Sequence, residues 1–295
     1  MPTAHLSNHS VVNVAGPDAE HFLQNIVTTD LDQLAAGEAR PCALLSPQGK
    51  ILFDFLISRA GENGLHLDVR SDVVDDFVRR LTLYRLRAKA EITIQDHLLV
   101  VASWQDDSAT SGTDSTASGV DSGWLRDTRF PTDAGVQRRY GSPPATDANL
   151  DEWDALRVRH GIAESGADYA LGDAFPHDVL LDQTGGVGFR KGCYVGQEVV
   201  SRMQHRGTAR RRVLLAEAAT DLPAAGTEIT AGGRAVGQLG TVSGRHGLAI
   251  ARIDRVKDAV DAGVPLLADG VETTLSIPAW AGFAFPASTP GAEEA

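Results

Sequence analysis

Lysine is nearly missing from this chain, with 4 in 295 residues against 23 arginines. Cysteine is scarcer, with Cys42 and Cys193 the only two. That count excludes a disulfide framework, and it excludes an iron–sulfur cluster held by four thiolates of one chain. No apolar run nears the roughly 20 residues of a membrane-spanning helix. The opening Met-Pro-Thr-Ala-His-Leu-Ser lacks the basic and apolar regions of a secretory leader, so a cytoplasmic location is expected. The nine histidines are scattered without an H-E-x-x-H pair, and no G-x-S-x-G is present. Gly185-Gly186-Val187-Gly188 fits neither dinucleotide nor phosphate-loop spacing and reads as a turn.

What the chain has in excess is acid. It carries 27 Asp and 12 Glu for a net charge of −12. A dense carboxylate surface with few lysines stays hydrated where salt screens charge to a few ångströms, so we read the balance as that of a salt-adapted, haloarchaeal protein. The alternative is an acidic mesophilic enzyme from a GC-rich genome, which explains the arginine bias but less well the aspartate excess. The same charge opposes a broad nucleic-acid footprint, and direct nucleic-acid binding is not expected. Hydrophobic residues at 42% and charged residues at 22% fit a folded soluble protein of two or three compact units.

Strands are expected at residues 10–14, 39–45, 50–58, 65–69, 90–94 and 98–103. The turn Ser46-Pro47-Gln48-Gly49 joins the second and third as a hairpin. Gly16-Pro17-Asp18 opens a first helix. Ser71 is expected to cap a second, whose apolar stripe is Val73, Val74, Phe77, Val78 and Leu81. Residues 105–123 are almost wholly Asp, Ser, Thr, Gly and Ala, which reads as a flexible acidic loop. Ser142-Pro143-Pro144 connects to a helix over 150–160. After Arg210, short strands near 212–217, 228–231, 235–242 and 247–253, punctuated by glycine, predict a small barrel.

Two positions stand out chemically. In Arg190-Lys191-Gly192-Cys193-Tyr194-Val195-Gly196-Gln197-Glu198, two glycines bracket a Cys-Tyr pair beside two cations. Nearby cations raise the thiolate fraction of a thiol, so Cys193 is either a reactive thiol or, as many free cysteines are, a small buried hydrophobe. Cys42 lies on an apolar strand and reads as core. Asp54 sits between Leu52 and Leu56 on a strand face, where a carboxylate is costly to bury without a specific partner. The alternative is an edge-strand Asp facing water. The basic run Arg202, Arg206, Arg210-Arg211-Arg212 reads as a solvated strand edge or, in so acidic a chain, as an anionic-ligand or RNA contact.

The stretch Lys191-Gly192-Cys193-Tyr194-Val195-Gly196-Gln197-Glu198 closely resembles the signature of the YgfZ family, in the superfamily of the glycine-cleavage T-protein. Gly16-Pro17-Asp18-Ala19 with Phe22-Leu23-Gln24 and Thr29-Asp30 resembles that family's first helix entry. Leu45-Ser46-Pro47-Gln48-Gly49-Lys50-Ile51 with Asp54 resembles its hairpin. Leu156-Arg157-Val158-Arg159, Gly161-Ile162, Asp168 and Phe175-Pro176-His177 resemble the segment leading to the signature. The likeness spans about residues 5–285.

The resemblance implies an α+β, three-lobed T-protein-like ring around a folate channel. Residues 1–45 with 145–208 would form an interrupted first lobe carrying the signature, 46–144 an inserted α+β lobe, 209–285 a C-terminal antiparallel β-barrel and 286–295 a disordered tail. It implies a tetrahydrofolate-binding accessory protein for assembly or repair of iron–sulfur clusters in client enzymes, tRNA-modifying ones included. Asp54 and Cys193 would carry the chemistry, with Asp54, Tyr194, Arg157, Gln197 and Glu198 toward the folate. Arg190 and Lys191 would support the thiolate, and Cys193 could ligate a cluster transiently, with no permanent metal. Expected partners are the folate and iron–sulfur assembly or client proteins around a monomer, with no membrane. The alternative is an aminomethyltransferase passing a one-carbon unit to tetrahydrofolate, and a third reading is a non-catalytic docking module. Where the T-protein pattern has paired acids this chain has Asp54-Phe55, and where it has an acid after Arg-Leu this chain has Arg159, which favours the accessory reading.

Overall fold

The computed structural model describes residues 1–105, 123–142, 145–207 and 209–286. The body of the expected acidic loop, the two prolines of the connector and the expected tail lie outside them. The chain runs β1 (Thr3–His5), β2 (His9–Ala15), α1 (Ala19–Gln24), β3 (Glu38–Leu45), β4 (Ile51–Ala60), β5 (Gly64–Arg70), α2 (Val74–Arg85), β6 (Glu91–Ile94), β7 (Leu99–Ser103), β8 (Trp124–Asp127), β9 (Gln137–Gly141) and α3 (Leu150–His160). It continues with α4 (Gln197–Arg206), β10 (Arg211–Ala218), β11 (Glu228–Ala231), β12 (Arg234–Ser243), β13 (His246–Arg252), α5 (Ile253–Asp261), β14 (Leu266–Ala268) and β15 (Val271–Ser276). Two compact units result. One comprises Met1–Trp153, Leu171–Pro176 and Leu181–His205, and the other Asp154–Ala170, His177–Leu180 and the chain from Arg206 on.

The first unit is organised by a nine-stranded sheet in the order β1-β7-β9-β8-β3-β4-β5-β2-β6. The hairpin forms where the sequence places it: β3 and β4 pair antiparallel with Ala43 opposite Asp54, and the turn is closed by Gly49 N donating to Ser46 O at 2.8 Å. Alternation along β4 turns Phe53, Phe55 and Ile57 to a core shared with Leu23, Val27, Leu44, Phe77 and Leu81. The rings of Phe53 and Phe55 lie 5.2 and 4.9 Å from that of Phe77. The stripe read for α2 therefore packs as expected. Ser71 does not cap it. A 3-10 turn over Ser71–Val73 comes first, and the Ser71 hydroxyl is 2.8 Å from that of Ser10 on β2. A cross-strand partner has won over the local cap.

In the second unit β10-β13-β12-β11-β14-β15 form the expected barrel, which pairing of β10 with β15 closes. Its filling is small and aliphatic, with Leu214, Ile229, Leu239, Ala249 and Leu275 meeting Val256 and Ala259 of α5. The basic run is not a single strand edge. Arg202 and Arg206 lie on α4, and Arg202 binds Glu198 one turn earlier at 2.8 Å. Arg212 is buried on β10 and donates from Nη1 to His177 O at 2.8 Å.

Candidate functional site

The signature loop is held down by backbone contacts that only its glycines permit. Gly196 has φ +82°, and a Cβ there would lie 2.6 Å from Ser46 O and 3.1 Å from Gly49 Cα. Gly49 has φ +79°, and its own Cβ would meet Val199 Cβ at 2.9 Å. The hairpin turn and the loop before α4 thus interlock glycine against glycine. The approach to the loop is pinned as well. Ile51 N donates to Ala174 O at 2.9 Å, Gly172 N donates to Ile51 O at 2.7 Å, and the Lys50 ammonium stands 3.6 Å over the Phe175 ring.

Lys191, expected beside the thiolate, is turned elsewhere. Its ammonium donates to Val27 O at 2.8 Å and Thr29 O at 2.7 Å, which straps the loop to the segment after α1. Burial lowers its pKa, against the pull of Cys42, Asp30 and Asp32. The Thr28 hydroxyl donates to Gly186 O and the Thr29 hydroxyl to Pro41 O, each at 2.6 Å. Above this base Cys193 is exposed, as are Gly192 and Arg190, and neither Arg190 nor Cys193 has a side-chain partner among the described residues. Cys42 is buried in the core, where burial pushes its thiol pKa up against hydrogen bonds from Thr29 and Thr28 and the charge of Lys191. The chain thus holds one accessible thiol and one sealed one.

Tyr194, expected toward the folate, is turned into the protein. It is only 7% exposed, its ring lies 5.3 Å from the Lys191 ammonium, and burial raises the pKa of its hydroxyl. Gln197 is half-buried at the start of α4, while Glu198 is exposed and engaged with Arg202.

Asp54 is half-buried on β4 opposite Ala43 of β3, and β5 pairs with β4 only from Leu56 on, so at Asp54 the strand is paired on one side and the edge-strand alternative stays open. Among the described residues its carboxylate accepts no hydrogen bond and joins no ion pair.

Arg157 differs. Its five N–H donors are all spent inside the second unit: Nε and Nη2 on Asp154 Oδ1, Nη1 on Ile162 O and Asp168 Oδ2, and Nη2 on Thr241 Oγ1. Asp168 Oδ1 also accepts from Thr241 N at 2.7 Å, against the backbone of Gly240, where a Cβ would sit 2.4 Å away. A guanidinium so saturated has no donor left for a folate. Arg157 staples α3 to β12.

Sequence reading missed a charged cluster inside the first unit. Asp68, Asp127 and Arg138 are fully buried, with Arg138 Nε donating to Asp127 Oδ2 at 3.1 Å and Arg138 Nη1 3.6 Å from Asp68 Oδ2. His9 Nδ1 lies 2.6 Å from Asp68 Oδ1, and Arg129 binds Asp127 at 2.8 Å. Burial alone would raise the Asp127 carboxyl, but Arg129 and Arg138 hold it below the usual carboxylate range. Nη1 and Nη2 of Arg138 find no hydrogen-bond acceptor, and its guanidinium carbon stands 4.7 Å from the Trp153 ring. The signal that singles out Asp54, an acid within an apolar strand, also marks Asp68 between Leu67 and Val69.

The class of fold is now definable. The chain has a mixed α/β T-protein-like fold with a closed six-stranded barrel. Residues 4–103 match the GCVT N-terminal domain, and residues 210–283 match the CAF17 C-terminal beta-barrel domain. A solved structure, the glycine cleavage system aminomethyltransferase T from Bartonella henselae, superposes with a TM-score of 0.70 over 95% of this chain and 86% of that one, at 15% identity.

Its relatives in sequence carry a more particular name. The iron-sulfur cluster assembly factor IBA57 homolog, mitochondrial, of Chaetomium globosum is 32% identical over 72% of this chain and 55% of that protein. The human mitochondrial iron-sulfur cluster assembly factor IBA57 is 29% identical over 93% of this chain and 84% of its own length, and that of the mouse is 29% identical over 85% and 78%. The chain spans about half the length of the Chaetomium globosum, Neurospora crassa and Pyricularia oryzae relatives.

Proposed function

We propose that this chain is a tetrahydrofolate-binding accessory protein of the cytoplasm that supports assembly or repair of iron–sulfur clusters in client enzymes, tRNA-modifying enzymes among them. The observation that carries the reading is the exposed thiol of Cys193 on a rigidly anchored loop. That loop is interlocked with the turn leading into the strand of Asp54. The names of the sequence relatives point the same way. An iron–sulfur cluster enters here as cargo, and Cys193 is the residue to touch it.

The residues that fit a folate are Asp54, whose open carboxylate can accept from a pterin's N–H donors, and Gln197, whose half-buried amide is uncommitted among the described residues. Folate would supply either a one-carbon acceptor or a structural ligand, and this chain's part is to bind and orient it. Phe55 stands where a second acid would serve a transferase. It is buried on Phe77, so aminomethyl transfer has less support. The acid excess fits a saline interior.

The test is a paired one. Purified protein titrated with tetrahydrofolate should bind saturably, and Asp54→Asn should weaken binding about ten-fold or more, the scale of a lost charge-assisted hydrogen bond. Cys193→Ser should keep that binding yet fail to restore an iron–sulfur tRNA-modifying enzyme in a strain lacking the protein. Full rescue by Cys193→Ser would remove the thiol from the function, and absent folate binding would remove the cofactor.

A further inference from the structure

The C-terminal end of α2 is one of two acid-free basic stretches in this acidic chain, the other being residues 202–212. Residues 79–89 carry Arg79, Arg80, Arg85, Arg87 and Lys89 and no acid, in a chain with 39 carboxylates and 27 cations. Arg79 pairs with Asp76 at 2.8 Å, and Arg85 donates to Ala90 O at 3.1 Å. The side chains of Arg80, Arg87 and Lys89 have no partner among the described residues. Cations favour a helix C-terminus through the macrodipole, which accounts for one or two charges there.

It does not account for the leucines. Leu83 is 64% and Leu86 86% exposed, while the helix's other apolar residues pack inward, with Phe77 and Leu81 buried. Leu86 has φ +48° and ψ −105°, a conformation that L side chains rarely adopt. The chain therefore leaves the helix at a strained residue and presents its side chain to solvent. Beside it lies a depression of about 460 Å³ lined by Ala15, Gly16, Arg85, Arg87, Ala88 and Lys89, with Leu86 on its rim and Glu91 the one acid in its wall.

We propose that this tip is a docking surface for an acidic segment of a partner protein that carries an apolar anchor side chain. Charge complementarity selects the partner's sign: unpaired cations in a molecule of net charge −12 attract locally what the whole repels. The exposed leucines and the adjoining depression select an apolar side chain over a bare run of charge. A phosphate backbone would leave both leucines unused. A lipid surface would have to hold a strongly acidic protein by two side chains, too little area for an interfacial helix. So small a patch makes a transient contact. This inference goes beyond the proposed function and is independent of folate binding.

The test uses the full chain and a fluorescent acidic peptide with a central leucine, read by polarisation. Its controls are the same peptide with glutamine for glutamate, a short single-stranded RNA and phosphatidylglycerol vesicles. The acidic peptide should bind and the glutamine version should not. Arg80→Glu with Arg87→Glu should weaken binding by about ten-fold or more, as expected when steering charges are reversed. Leu83→Ser with Leu86→Ser should weaken it comparably without lowering the melting temperature, since both residues are exposed. Equal affinity in either variant, tighter binding of RNA or vesicles than of the peptide, or self-association of the chain through these residues would overturn the proposal. Tetrahydrofolate affinity measured on the same variants should not move.

Discussion

Gly196 of the signature loop packs so closely on the hairpin turn that a Cβ there would lie 2.6 Å from Ser46 O and 3.1 Å from Gly49 Cα, while a Cβ on Gly49 would meet Val199, in the first turn of α4, at 2.9 Å. Gly192, in the same loop, faces open space. The signature's two glycines therefore do different work.

Gly196→Ala should destabilise the protein by about 1–3 kcal/mol, from left-handed strain together with the clash on Ser46 O. Gly192→Ala should be close to neutral. Denaturant unfolding of the two variants checks the contrast, and equal losses would mean that the loop is not held by this contact.

Cys193 and Cys42 should separate under alkylation at neutral pH. One adduct, on Cys193, should form in the folded protein, and the second only after denaturant exposes the core that holds Cys42. Mass spectrometry with and without denaturant reads both sites. Modification of Cys42 at a comparable rate under native conditions would contradict its sealing.

Much of the scaffold was legible because local rules carry it. Period-two alternation with a Pro-Gln-Gly turn gave the hairpin of β3 and β4, and α3 falls on the residues expected. What was hidden depends on partners far along the chain. Lys191 reads as a cation beside a thiol until Val27 and Thr29 bring it their carbonyls from more than 160 residues away. Arg138 on β9 looks like a surface residue because nothing in its own strand announces Asp68 and Asp127. Helix α4 went unread because its first residues belong to a glycine-rich motif. Asp54 was legible as an anomaly, and the structure adds its half-burial and, among the described residues, its lack of a side-chain partner.

His66 should make stability pH-dependent. It lies edge-on to the Tyr140 ring at 5.6 Å, and burial lowers its pKa below the ordinary value. The unfolded chain then binds a proton near pH ~6.5 that the folded chain refuses until lower pH, so stability falls as pH drops through that interval and is flat above it. His66→Gln should shallow this slope relative to the parent between neutral and mildly acidic pH, measured by denaturant midpoints. An unchanged slope would assign the acid sensitivity to other groups.

The closing pair of β10 and β15 leaves the barrel without an unpaired backbone strand to template another chain. At the two ends of the nine-stranded sheet stand β1 and β6, of three and four residues, too short to seed much pairing. Among the described residues strand addition therefore has little purchase. Any partner of the kind proposed above would be selected by side chains, which can be edited one residue at a time without disturbing the fold.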